Sequence, residues 1–316
     1  MTSTTADHPD QRDANVSSPV ASSPVASAQV SAPAGRGTGS CYALLESRTD
    51  ADGTVVETFA SHQHTGSAWG PMQHGGPVAG LLTRAMERLG ARPGARISKV
   101  GVDILGAVPI DEVRVSARVE RPGRRIELLS AVMEAADGAG GHRPVARASA
   151  WRLASSPTDD VVWQADGPLP FPGPGGVPGL AWLGLPDGWA LDGFVDAVTW
   201  NMVDRGGEPG HPTTAWLRLD CPLVAGEETT ALQRTLTLAD TVNGVGARLD
   251  PATFTFLNTD MTVHLHTVPR GEWLGIRAEN TTGPDGVGMS VGVLYDVHGP
   301  VARVAQNVLV ERRPGA

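Results

Sequence analysis

The sequence has few cysteines, a single lysine and no long apolar run. Its 316 residues include only two cysteines, Cys41 and Cys221, and neither belongs to a CxxC pair or a spaced set. This pattern argues against a disulfide framework and against a structural metal site, so we expect no metal. No apolar stretch approaches the roughly 18 residues that a membrane-spanning helix needs. Lys99 is the only lysine, and the net charge of −9 argues against a nucleic-acid partner, which would require a basic face.

The remaining composition is that of a folded protein with low-complexity segments. At 41% hydrophobic residues, the chain can bury a sizeable core, and its length suggests about two domains. Residues 1–40 are mostly Ser, Ala, Pro, Val and Gly, and we expect a disordered tail there. Asp7 and Asp10 occupy the place where the basic region of a signal peptide would lie, so a cytoplasmic protein is the expectation. A Pro/Gly-rich linker over 156–190 would separate two domains, 41–155 and 191–316.

Between these breaks the hydrophobic pattern predicts strands and one clear helix. Val113, Val115, Ala117 and Val119 alternate with polar residues, which is typical of a half-buried strand. Around 71–90 the period becomes helical, because Val78, Leu81, Leu82, Ala85 and Leu89 form one apolar stripe, with Arg84, Glu87 and Arg88 off it. Gly75, Gly76 and Gly80 indicate that another backbone approaches this helix closely.

The second half repeats the order of the first. His142-x-Pro-Val-Ala-Arg recurs at His298 with an offset of 156 residues, and the Pro109 segment has a counterpart at Pro269 with an offset of 160. Strands are expected at 194–203 and 214–219, with a helical stretch near 229–247. Each half therefore reads as strand, helix and about four strands. An antiparallel sheet wrapped around one long helix fits this order, and two copies could pair their edges into one continuous sheet.

Two sets of motifs resemble a known family. The segment Trp69-Gly-Pro-Met-Gln-His74-Gly75-Gly76 resembles the helix entry of hotdog-fold thioesterases. In the second half, three segments resemble those of the acyl-CoA thioesterase II family: Leu238-Ala239-Asp240, Asn258-Thr259-Asp260-Met261, and Val301-Ala-Arg-Val-Ala-Gln306 in a terminal strand that contains Gln. The resemblance covers roughly residues 41–312. It implies an α+β double hotdog, that is, two tandem antiparallel sheets each wrapped around one long helix, that hydrolyses acyl-CoA without a cofactor.

The resemblance also assigns site residues. It places the family's catalytic triad on Asp240, Asn258 and Gln306, with Asn258 where the family has Thr and Met261 where it has His. Asp240 stands in an apolar helical segment, where a carboxylate is costly to bury without partners. His74, Gly75 and Gly76 begin the first helix, where free N–H groups favour a carbonyl oxygen or an anion, so they are candidate substrate contacts. The partners implied are an acyl-CoA substrate and further copies of the chain.

Three other motifs suggest alternatives to an acyl-CoA thioesterase. Gly288-x-Ser290-x-Gly292 matches the nucleophile elbow of serine hydrolases, but the residues after it read as a strand rather than a helix. His62-x-x-x-Gly66-x-x-x-x-Pro71 matches the motif of dehydratase-type double hotdogs, although Gly244 stands where their second-half motif has Gln or His. His62/His64 and His264/His266 could each present two rings on one strand face, but no third ligand completes a metal set. A dehydratase and a non-catalytic acyl-CoA or lipid-binding protein remain the alternatives.

Overall fold

The computed structural model describes residues 39–90, 92–173, 177–178 and 193–313. Apart from Gly39 and Ser40, the tail predicted over 1–40 lies outside the described residues. So do residues 174–176 and 179–190 of the predicted linker.

The described elements follow the predicted order of strand, helix and strands in each half. The first half contains β1 (Tyr42–Thr49), β2 (Val55–Ser61), a 3-10 turn (Gln63–Thr65), β3 (Gly66–Ser67), β4 (Gly70–Gln73), α1 (Gly75–Glu87), β5 (Ala95–Ile104), β6 (Glu112–Arg121), β7 (Ile126–Ala136) and β8 (His142–Ala154). A second 3-10 turn (Asp159–Val161) follows. The second half contains β9 (Val177–Pro178), β10 (Val198–Asp204), β11 (Thr213–Leu219), α2 (Ala231–Ala239), α3 (Val242–Val245), β12 (Phe254–Asn258), β13 (Asp260–Leu265), β14 (Trp273–Thr282), β15 (Val287–Asp296) and β16 (Gly299–Arg312).

One continuous sheet joins the two halves. Among the described residues it has 14 strands, in the order β1-β2-β6-β7-β8-β5-β13-β16-β15-β14-β11-β10-β9, with β12 also paired to β16. The halves meet where β5 pairs antiparallel with β13, and Val100 lies opposite Val263. The sheets expected for the two halves are therefore parts of a single sheet, because each covers an edge of the other that would otherwise be exposed.

Helix α1 is buried almost along its whole length. The predicted apolar stripe from Val78 to Leu89 is buried, and the helix packs against β5, β6, β7 and β8. Arg84 departs from the prediction, because its side chain is only 1% exposed. Its guanidinium lies 2.7 Å from carboxylate oxygens of both Glu57 and Glu227, and these two partners compensate a charge that would otherwise be too costly to bury.

Small residues let α1 and α2 lie side by side. A Cβ atom at Gly76 would overlap the Thr237 carbonyl oxygen, and one at Gly80 would overlap the Thr237 hydroxyl. The predicted close approach of another backbone is thus confirmed at Gly76, whereas at Gly80 the neighbouring group is a side chain of α2. The helices run antiparallel: Asp240 at the end of α2 contacts His74 before α1, and Glu87 at the end of α1 contacts the N-cap Thr230 of α2.

The second half differs from the sequence prediction in two details. The helical stretch expected near 229–247 is interrupted at Asp240 and Thr241, so it forms α2 and the short α3. The strand expected from 194 begins only at Val198, because residues 193–197 form a turn in which the Ala197 amide bonds the Phe194 carbonyl.

Leu169, Pro170 and Phe171 of the predicted linker pack onto the sheet. Residues 162–173 contain no helix or strand. Leu169 and Phe171 contact a small apolar cluster around Trp216, whose Nε1 donates to the Pro170 carbonyl at 2.9 Å. Since Trp216 alternates along β11 with Ala215 and Leu217 of the main core, this segment covers the face of the sheet opposite the helices. None of the described helices is long and apolar enough to cross a membrane.

Candidate active site

Asp240 lies in the two-residue break between the end of α2 and the start of α3. The neighbouring Leu238, Ala239 and Val242 are all buried, so the chain carries this residue into the interior and leaves it 4% exposed. Its position as the C-cap of α2 directs the carboxylate toward the start of α1. A carboxylate in this environment requires hydrogen-bond partners, because burying an unpaired charge is costly.

The three residues predicted from the family triad meet at this carboxylate. Asn258, the last residue of β12, donates from Nδ2 to Asp240 Oδ1 at 2.8 Å. Gln306, in the middle of β16, donates from Nε2 to the same oxygen at 3.0 Å. Residues 18 and 66 positions away from Asp240 in sequence thus hold one of its two oxygens.

Two of the predicted helix-entry residues, His74 and Gly75, lie at the other oxygen, whereas Gly76 packs against the Thr237 carbonyl. Asp240 Oδ2 is 3.1 Å from His74 Nδ1, and a Cβ atom at Gly75 would come within 2.7 Å of it. His74 also caps α1, since its Nδ1 lies 3.0 Å from the Gly76 amide nitrogen. One ring nitrogen cannot accept from Gly76 and donate to Asp240 at once, so the proton on Nδ1 selects between capping the helix and bonding the carboxylate.

A cavity of about 700 Å³ opens onto this group. The cavity is lined by His74, Gly75, Asp240 and Asn258. Gln306 is not among the described residues that line it, and it contacts Asp240 from the side away from the cavity. The rest of the wall is largely apolar, including Trp69, Met72, Val78, Ile104, Val108, Trp200, Phe256 and Leu309. This size and lining are typical of a small-molecule site. These wall residues come from many elements and share no local pattern, so the sequence alone does not predict that they meet at one cavity.

The serine motif is structural in this fold. Ser290 lies within β15, is completely buried, and donates to Asn243 Oδ1 at 3.2 Å. Asn243, which the sequence analysis did not single out, also donates to the Phe256 carbonyl at 3.0 Å and so ties α3 to β12. The prediction that Ser290 occupies a strand position is confirmed, and no strand-to-helix turn exposes its hydroxyl.

We expect Ser290→Ala to keep the thioester turnover that the family resemblance implies within about threefold of the wild type, or roughly 0.7 kcal/mol of barrier. The lost hydroxyl bonds only Asn243, whose Oδ1 still accepts from Asn280 at 3.2 Å. Steady-state thiol release on the purified variant measures this. A loss of turnover with an unchanged melting temperature would contradict the structural role.

The remaining motif histidines lie away from Asp240. The ring of His62 contacts the carbonyl and hydroxyl of Ser40, and His62 is not among the described residues that line the cavity. The ring of His64 lies against Gly39, and that of His266 contacts Thr267. Asp260 accepts a bond from the backbone of Asn307, as expected of a structural residue. Across the parts of the chain that the structure describes, no three potential metal ligands cluster.

Solved structures with the same architecture define the class. A TesB2 acyl-CoA thioesterase II from Mycobacterium marinum is 15% identical, with a TM-score of 0.60 over 86% of this chain and 97% of its own. A protein of unknown function with a hot dog fold from Alicyclobacillus acidocaldarius is 15% identical, with a TM-score of 0.60 over 82% and 93% of the two chains. The dehydratase domain of RzxB from Pseudomonas fluorescens is 12% identical, with a TM-score of 0.52 over 86% and 98%. The chain is thus a hotdog-fold protein.

Family models give the more specific result. The model of the acyl-CoA thioesterase N-terminal domain matches residues 65–153, and that of the acyl-CoA thioesterase C-terminal domain matches residues 165–310. Together they account for most of the chain, which therefore belongs to the acyl-CoA thioesterase family and is a thioester hydrolase. No curated protein is similar enough in sequence to count as a match.

Proposed function

We propose that the protein hydrolyses acyl-CoA to the free acid and CoA, using a water molecule activated by Asp240. The observation that carries the proposal is the buried Asp240 carboxylate, which faces a large, mostly apolar cavity and is held by two amides on one oxygen. Thioester hydrolysis needs a positioned base and donors aimed at the developing oxyanion. Both requirements can be met by residues at this point of the fold.

The two oxygens of Asp240 have different roles in this mechanism. Bonds from Asn258 and Gln306 stabilise negative charge on Oδ1 and fix the orientation of the group. Oδ2 receives no such amide bond and lies at His74 and Gly75, so it is the oxygen that takes a proton from the attacking water. Gln306 is a positioning residue: it holds the Asp240 carboxylate from the side away from the cavity and does not contact the substrate.

The start of α1 supplies the oxyanion donor in this proposal. Gly75 and Gly76 are the first residues of a 13-residue helix, where backbone N–H groups favour negative charge. The Gly76 amide already faces His74 Nδ1, so we assign the oxyanion bond to the Gly75 amide. Gly75 also has to remain glycine, because a side chain there would collide with Asp240.

Asn258 can serve where the family has Thr. The structure uses its Nδ2 as a donor to Asp240 Oδ1, which is the same kind of bond that a hydroxyl would donate. The departure therefore preserves the contact to the carboxylate. This contact favours turnover over the alternative of a protein that only binds acyl-CoA.

A panel of acyl-CoA thioesters of increasing chain length tests the proposal. We expect release of free CoA thiol from several of them by the wild-type protein. Binding without thiol release would indicate the non-catalytic alternative. Dehydration of 3-hydroxyacyl thioesters would indicate the dehydratase alternative, with which the chain shares a fold.

Gln306→Ala should lower turnover by roughly 10–100-fold, because Asp240 Oδ1 keeps the bond from Asn258 and loses one of two donors. Thiol-release kinetics on the purified variant measure the change in kcat. The matched control is Asn307→Ala, the next residue of β16, whose side chain is exposed and for which wild-type turnover is expected. Equal losses in the two variants would show that Gln306 has no specific role.

A further inference from the structure

A second cavity lies at the opposite end of the seam between β5 and β13. It measures about 270 Å³ and is bounded by the end of α1, the start of α2 and the residues that follow β13. The catalytic cavity is bounded by the start of α1, the end of α2 and the residues that follow β5. The two cavities are therefore related by the same pseudo-twofold arrangement that pairs β5 with β13 and α1 with α2.

The internal repeat makes this relation specific. Leu105 and Val108 line the catalytic cavity, and their counterparts 160 residues later, Leu265 and Val268, line the second one. At the same offset, Phe256 and Leu257 of the catalytic cavity correspond to Arg96 and Ile97 of the second. The second cavity is thus the duplicated counterpart of the active site.

The residues that perform hydrolysis have no counterparts there. Helices α1 and α2 begin 156 residues apart, at Gly75 and Ala231, so Asp240 corresponds to Arg84. At the offset of 156 that holds for the His142 repeat, Gln306 corresponds to Ala150, and at the offset of 160, Asn258 corresponds to Ser98. Glu87 does reach the start of α2, as Asp240 reaches the start of α1, but its carboxylate accepts bonds from Thr230 and Gln233 at 2.9 and 2.8 Å. This cavity therefore retains a binding shape without the catalytic group.

Arginines line the second cavity, whereas the wall of the active-site cavity around Asp240 is largely apolar. Arg92, Arg96 and Arg152 line the second cavity, against the single lining carboxylate of Glu87. Glu127 bonds Arg152 at 2.5 Å and lies 3.5 Å from Arg92, whereas the hydrogen bonds of Arg96 go to the carbonyls of Leu265 and His266. Within the described residues, no carboxylate pairs with Arg96.

The effect of this unneutralised charge extends to a neighbouring residue. Burial and the Arg96 guanidinium together lower the pKa of His266. Counting Glu87 and Glu127 against the three arginines leaves one positive charge, and Leu232, Ile97 and Leu265 supply apolar wall beside it. An arginine next to an apolar wall suits a ligand with an anionic head and an apolar body.

We propose that the second cavity is a non-catalytic binding site for a small organic anion, namely a carboxylate with an apolar body, recognised by Arg96. The site follows from the internal repeat: its walls correspond to those of the catalytic cavity, other residues stand at the hydrolytic positions, and Arg96 stands where the catalytic cavity has Phe256. The proposal is independent of the mechanism at Asp240.

Photoaffinity labelling of the full chain tests this site directly. The probe is a medium-chain carboxylic acid that carries a diazirine, with its methyl ester as the uncharged control, and labelled peptides are mapped by mass spectrometry. We expect the acid, and not the ester, to label peptides that contain Leu232 or Val268. Labelling confined to peptides of the catalytic cavity, such as those containing Trp69 or Phe256, would overturn the proposal.

Substitutions at the arginine identify the recognition group. We expect Arg96→Met to weaken binding of the acid at this site by at least about tenfold in calorimetric titration, and Arg96→Lys to restore part of it. Arg48→Met is the control, because it removes an exposed arginine that pairs with Asp50 away from this cavity. Circular dichroism melting checks that each variant is folded. Wild-type affinity in a folded Arg96→Met protein would refute the role of Arg96.

Discussion

Asp240→Asn should lower acyl-CoA turnover by at least about 100-fold while the protein stays folded. General-base catalysis contributes typically about 10²–10⁴-fold, and an amide of nearly the same volume cannot take a proton from water. One side-chain oxygen can still accept from Asn258 and Gln306, so the packing between α1 and α2 is preserved. Thiol-release kinetics across acyl-CoA chain lengths, with a melting curve for each protein, measure the effect.

The control for this substitution is Asp285→Asn in an exposed turn, which makes the same chemical change away from the cavity. Wild-type turnover is expected for it. If Asp240→Asn retained near-full turnover while Ser290→Ala abolished it, the site would be wrongly assigned. Ser290, in the serine-hydrolase motif, would then be the better candidate for the catalytic residue.

Arg84→Met should lower the free energy of unfolding by about 3–5 kcal/mol. The change keeps most of the side-chain volume but leaves Glu57, which is 4% exposed, as a buried carboxylate without its cation. It also removes the closer of two arginine partners of Glu227, which belongs to the other half of the chain. Chemical denaturation measured by circular dichroism gives the difference.

Arg88→Met provides a comparison on the same helix. Arg88 is 54% exposed and lies 3.5 Å from the same Glu227 carboxylate, so its loss should cost less than about 1 kcal/mol. Similar decreases in the free energy of unfolding for the two substitutions would show that burial does not strengthen the Arg84 ion pairs.

The pH dependence of stability offers a second measurement of this pair. The pKa of Glu227 is lowered, primarily by the hydrogen bond from Arg84. A lowered carboxyl pKa stabilises the folded state at pH values above the ordinary pKa of glutamate, and this contribution is lost as the pH falls through the lowered pKa. In Arg84→Met most of that acid-dependent part of the stability should disappear, since the weaker interaction of Glu227 with Arg88 remains.

Much of the fold could be predicted because its signals are local. The stripe from Val78 to Leu89, the alternation from Val113 to Val119 and the glycines of α1 each depend on spacing within one element. The repeat at His142 and His298 predicts that the second half has the same order of strands and helix as the first. The strand at Ser290 could be recognised in the same way, because the apolar residues after it alternate without a helical period.

The contacts that could not be predicted join distant parts of the chain. Arg84 appeared to be a solvated helix residue, because its partners Glu57 and Glu227 lie 27 and 143 residues away. Cys41 and Cys221 looked like isolated thiols, yet their sulfur atoms lie 3.8 Å apart in the core. The grouping of Asp240, Asn258 and Gln306 was predicted only through the family resemblance, and the break that separates α2 from α3 at Asp240 had no local signal.

The seam between β5 and β13 has a consequence for how the chain holds together when it is cut. The halves share backbone hydrogen bonds from Asp103–Asp260 to Lys99–His264, the Arg84–Glu227 ion pair and the contact of His74 with Asp240. A break in the backbone between β8 and β10 would therefore yield two fragments that stay associated as a non-covalent complex. Neither fragment alone contains the whole of the proposed active site, since His74 belongs to one and Asp240 to the other, so activity would follow their reassembly.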